Sequence, residues 1–122
     1  MARKPGESLL DYKKRVMDPV SRSFCAAKWL NATIWLDKGI TASCHIPPGH
    51  AVDPQVVVKD PSRLHNTSEK IHARKQMLAG ERPSECEFCW SVEDISPHLV
   101  SERILKTQVH KEEDIRSISQ KT

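Results

Sequence analysis

Four cysteines constrain this chain more than any other feature: Cys25 and Cys44, in the spacing Cys25-x13-Gly39-x4-Cys44, and after a long gap the pair Cys86-x2-Cys89. They are the only cysteines in its 122 residues. Four thiolates make a complete tetrahedral ligand set, and soft sulfur donors in that number select an iron-sulfur cluster or zinc over other metals. A chain of this length makes about one domain, small enough to gain from a staple. Charged residues reach 29% and aromatics only 5%, which limits the apolar surface available for burial. A metal would supply what such a core lacks.

The formal net charge of +3 comes from 19 basic residues interspersed among 16 acidic ones, which does not read as a nucleic-acid footprint. Near the start, Arg3 and Lys4 are followed by Pro5, Gly6 and Glu7 in place of an apolar run. Neither a signal peptide nor a membrane span is expected, and the expected location is cytoplasmic. Structural disulfides are rare there, so the even cysteine count favours metal ligation over disulfides.

Residues 1–22 read as an N-terminal arm, in which Leu9, Leu10, Tyr12, Val16 and Met17 make a short amphipathic helix packed on the body and ended by Asp18-Pro19. Residues 27–44 read as a β-hairpin. Lys28, Leu30, Ala32, Ile34 and Leu36 alternate with Trp29, Asn31, Thr33 and Trp35, and Asp37-Lys38-Gly39 turns the chain, with Gly39 taking the left-handed conformation. Such a hairpin would carry Cys25 and Cys44 side by side. Residues 45–50 read as a loop; Asp53-Pro54 and Asp60-Pro61 read as helix starts, the first weakened by the β-branched run at 56–58.

The clearest helix is expected over residues 67–79, with Asn66 and Glu69 at capping-box spacing and Gly80 past its end. Its basic residues Lys70, His72, Arg74 and Lys75 read as a solvated face, with phosphate or an acidic partner as the sharper alternative. Ser84 and Glu87 repeat the capping-box spacing. Cys86 and Cys89 would then lie in the first turns of a short helix, where the dipole favours thiolate over thiol. Residues 108–122 read as a polar tail within a stretch, from Ile95 on, expected to be a frayed helix or disordered. The expected fold is α+β: a small metal-stapled domain of one β-hairpin and two or three short helices, with flexible N- and C-terminal arms.

Beyond the cysteine spacing, several phrases carry a resemblance. They are Phe24-Cys25-Ala26-Ala27-Lys28-Trp29, Ser43-Cys44-His45, Asp60-Pro61-Ser62-Arg63-Leu64-His65-Asn66-Thr67, and Met77-Leu78-Ala79-Gly80-Glu81-Arg82-Pro83-Ser84-Glu85-Cys86-Glu87-Phe88-Cys89-Trp90. Over residues 23–107 the chain resembles the twitch domain, the shortened relative of the SPASM domain, which holds an auxiliary [4Fe-4S] cluster in radical SAM enzymes. The resemblance implies one such cluster on Cys25, Cys44, Cys86 and Cys89, in an electron-relay or structural role. It also implies a separately encoded radical SAM core or a peptide substrate as partner. The Cys-x3-Cys-x2-Cys triad of that core is absent, and Ile95 stands where a fifth SPASM cysteine is expected.

No residue is assigned a catalytic role, since no nucleophile elbow orders the Ser, His and Asp residues present. His45, beside Cys44, is the one alternative ligand, a polar loop role being its plainer reading. Trp29, Trp35 and Trp90 read as core, or as an apolar shell for the metal. Read from the residues alone, a structural zinc in an interaction module remains the alternative to the cluster.

Overall fold

The computed structural model describes residues 3–35, 37–44 and 49–118. Among them are seven α-helices and one three-stranded antiparallel sheet, an α+β fold. Leu36, the loop at 45–48 and the His45 alternative lie outside the described residues.

The chain starts with Ser8, whose hydroxyl accepts from the Asp11 amide and caps α1 (Leu9–Tyr12). The helix continues as a wider π turn over Lys13–Met17 and stops at Asp18 before Pro19, as the pattern predicts. It is not a loose arm. Tyr12, Val16 and Met17 are buried with Phe24, Ala26, Ile104, Ile115 and Ile118 in one apolar cluster.

The expected 27–44 hairpin is shorter than its alternation suggests. Residues Ala27–Leu30 form α2, with Leu30 and Asn31 amides bonded back to the Ala26 and Ala27 carbonyls at 2.9 and 3.2 Å. The reason is local: Ala, Lys and Leu are strong helix formers, and no β-branched residue stands between Ala26 and Thr33. The strands are β1 (Thr33–Trp35), β2 (Ile40–Ala42) and β3 (His50–Ala51), in that order across the sheet. Thr33 pairs with Ala42 and Trp35 with Ile40, while Ile40 also faces Ala51. Gly39 has φ of +64° and its amide bonds to the Trp35 carbonyl at 2.9 Å, so the reversal works as read from the sequence.

Asp53 caps α3 (Pro54–Lys59) by accepting from the Gln55 amide, so the cap and Pro54 outweigh the valine run. Asp60 then starts a 3-10 turn over Pro61–Leu64. The longest helix, α4 (Ser68–Leu78), begins one residue later than its capping-box reading: Thr67 accepts from the Lys70 amide. Asn66 turns its side chain to Arg74 instead. Gly80, at φ +78°, closes α4 with the Glu81 amide on the Gln76 carbonyl at 2.8 Å. The basic run is not one solvated face, because Lys70 is buried beside Ala73 and Met77.

A 3-10 turn, Ser84–Cys86, leads into α5 (Glu87–Ile95), and the Ser84 capping box does not form. Pro83 precedes the turn instead, fully buried, and its carbonyl accepts from the Trp90 indole at 2.9 Å. The expected frayed or disordered end is corrected by α6 (Glu102–Gln108) and α7 (Glu112–Ile118), which bury Ile104, Ile115 and Ile118. Two isoleucines three positions apart give α7 an apolar side too narrow to stand out in so charged a stretch. Among the described residues no helix is long and apolar enough to cross a membrane.

Candidate metal centre

A second apolar cluster lies beside the first and contains every cysteine. Cys25, Ala27, Met77, Cys89 and Trp90 are its buried members, with Cys44 and Cys86 packed against it. Trp29 packs against both clusters, its ring 5.4 Å from that of Phe24. Four separate pieces of local structure deliver the thiols. Cys25 lies just before α2, and Cys44 two residues past β2. Cys86 ends the 3-10 turn, and Cys89 follows three residues later in the first turn of α5, on the same side of the chain. The first pair therefore reaches one cavity with α2 packed on α4 and α6, not as two ends of a long hairpin.

All four are free thiols and line one cavity with Ala27, Met77, Phe88 and Trp90. Its volume is about 20 Å³, room for about one water. The thiols surround this space without converging on a point: among the described residues, no group of three or more His, Cys, Asp or Glu is placed to hold a metal ion.

Burial sets the electrostatics. It pushes the Cys25 thiol up to about 12, with the other three sulfurs adding to the effect. Cys86 and Cys89 are raised as well, burial outweighing the nearby Lys28 ammonium at Cys86 and a backbone hydrogen bond at Arg103 at Cys89. The expectation that a capped helix start would favour thiolate at this pair is overturned. A half-turn of dipole is worth less than removing a thiolate from water.

Two cations that the sequence reading did not single out border the cavity. Lys28 is 3% exposed and its ammonium sits 3.2 Å from a Glu85 carboxylate oxygen. Arg103, equally buried, holds Glu93 through Nε and Nη2 at 2.5 and 2.7 Å and donates Nη1 to the Phe24 carbonyl at 2.7 Å. Its own carbonyl is the acceptor for Cys25 Sγ at 3.9 Å. The guanidinium groups of Arg82 and Arg103 both lie over the Trp90 ring, at 5.1 and 5.4 Å from its centroid. A lysine inside the apolar stretch 24–30 was the one available signal; Arg103 had none, since the stretch around it reads as polar.

Comparison with known proteins returns no match: no family model, no curated protein and no solved structure resembles the chain significantly.

Proposed function

We propose that this chain is an iron-sulfur module that holds one [4Fe-4S] cluster on Cys25, Cys44, Cys86 and Cys89. The observation that carries the reading is the gathering of all four cysteines, from distant parts of the sequence, around one cavity inside an apolar cluster. A group of free thiols, two buried and two half-buried, with no disulfide among them, is a donor set suited to a soft metal. The phrases around the cysteines, which resemble an auxiliary-cluster domain, favour the cluster over a single ion.

When bound, such a cluster supplies one-electron relay or a cross-link between chain segments. With four protein thiolates engaged, no cysteine of this chain is left for S-adenosylmethionine chemistry. The role is accordingly auxiliary to a radical SAM core. The protein's own residues shape the site. Met77, Phe88 and Trp90 keep water from the sulfurs, while Lys28 and Arg103 place positive charge where four thiolates would concentrate negative charge. The buried thiols must lose their protons for binding, so uptake releases protons to solvent.

Anaerobic purification with iron and acid-labile sulfide analysis tests the reading. A brown protein with four irons and four sulfides per chain is expected. A colourless protein carrying one zinc, and unable to take up iron and sulfide on reconstitution, would replace it with a structural zinc module.

A further inference from the structure

Next to the thiol cavity, and sharing Lys28 with it, lies a second cleft lined by Lys70 and Arg74 of α4. Lys70 is 2% exposed, yet its ammonium donates to neutral oxygens, Thr41 Oγ1 and the His65 carbonyl, both at 2.9 Å. Arg74, one helical turn on, donates Nη1 to the Lys28 carbonyl at 3.3 Å and Nη2 to the Asn66 amide oxygen. Among the described residues no carboxylate forms an ion pair with either. Glu85, whose charge reaches Lys70, is held by Lys28.

Burying a charge without a counterion is among the costliest arrangements a fold can keep. The strain is visible in the ionisation of both groups. Burial and the neighbouring Arg74 and Lys28 charges pull Lys70 below its usual range, and burial lowers Arg74. The bonds they make engage two of the three ammonium donors and two of the five guanidinium donors, so others are left for a ligand. Both side chains line a cleft of about 470 Å³, walled by Trp29 with His65 and Asn66 at its rim. That volume lies within the range of small-molecule sites.

We propose that this cleft binds a phosphate monoester, its two charges met by Lys70 and Arg74 and its organic part set against Trp29. The charge count selects the ligand class. A phosphate monoester carries roughly −1.5 to −2 at neutral pH and so matches two uncompensated cations, where a carboxylate matches one. The donor types agree, since arginine offers a planar fork for two phosphate oxygens and lysine a mobile point charge for the third. This cleft shares only Lys28 with the thiol cavity, and the proposal invokes no metal.

Isothermal calorimetry on the full chain as purified tests it, with phenyl phosphate, inorganic phosphate and benzoate at low ionic strength. Phenyl phosphate is expected to bind, to be displaced by inorganic phosphate, and to bind at least about tenfold more tightly than benzoate. Lys70→Met and Arg74→Gln are each expected to weaken it by roughly 10- to 100-fold with the far-ultraviolet dichroism unchanged. Equal affinity for benzoate, no heat with either phosphate, or full affinity in the folded variants would overturn the proposal. Should Arg74→Gln fail to fold, Lys70→Met keeps the buried stem, and the displacement experiment on the unaltered chain needs no variant.

Discussion

Arg103 grips Glu93 with two nitrogens on two oxygens, a fork that bolts α6 to α5 directly behind Cys89. Ser101 adds its hydroxyl to the same carboxylate at 2.6 Å, and these bonds hold Glu93 below the usual carboxylate range against the opposing effect of burial. Glu93→Ala would leave the guanidinium buried without its counterion. A loss of about 3 kcal/mol is expected, at the low end for a broken buried pair because the carboxylate is partly exposed. Urea denaturation of the variant measures it; a midpoint equal to that of the unaltered chain would show the fork to be dispensable.

Removal of one thiol tests the metal centre. Cys86→Ala is expected to lose the bound metal and much of the stability, since the binding free energy of a structural metal is folding free energy. Iron, sulfide and zinc analysis beside a thermal melt reads both effects. A fully metallated Cys86→Ala protein of unchanged stability would show that the four thiols do not act together.

The turn at Gly39 separates backbone strain from packing. An added methyl meets nothing within 4 Å, so the cost of Gly39→Ala is conformational alone. About 1 kcal/mol of destabilisation is expected, from an L-residue forced to positive φ. Gly39→Asn should cost less, because asparagine tolerates that region. Thermal melts of the two variants rank them, and equal losses would point to a cause other than backbone conformation.

Strong acid should weaken the ion pair that ties Glu7 to the N-terminal helix. Arg15 holds Glu7 at 2.8 and 2.9 Å and Glu112 at 2.9 Å, and the Arg15 and Lys4 bonds bring the Glu7 carboxyl down to about 2. A pKa lowered in the folded state stabilises above the unfolded value near 4.5 and loses that contribution as pH falls toward 2. Glu7→Gln should therefore flatten the stability profile across this window and leave its shape above pH 5 unaltered. Denaturation midpoints at a series of pH values compare the two, and parallel profiles would exclude the Glu7 contribution.

Ile115 is fully buried against the N-terminal helix, so Ile115→Ala should cost about 2–5 kcal/mol through lost burial and the cavity left behind. A chain whose last helix were only loosely attached would show almost no change in its urea midpoint.

Turn and cap chemistry was the most legible part of the fold. Gly39, Gly80, Asp53-Pro54 and Asp18-Pro19 each act locally, and each does in the structure what its residue type dictates. Alternation over 28–36 misled because a period of two in mixed residues says nothing of propensity, and Ala27–Leu30 preferred a helix. Thr67 and Asn66 are both good caps, and only the demand of Arg74 for the Asn66 amide decides between them. The same limit applies at the site. The four cysteines stand out by number, whereas Lys28 and Arg103 matter through neighbours 57 and 10 residues away, which no local pattern records.

Trp29 touches both apolar clusters, and this gives the molecule a shared hinge-pin in place of two independent halves. Whatever enters or leaves among the sulfurs changes the packing on one side of a rigid indole whose other side rests on the Phe24 group. Occupancy at the cysteines should thus be readable from afar, as slower amide exchange in the helices that hold Tyr12 and Ile115.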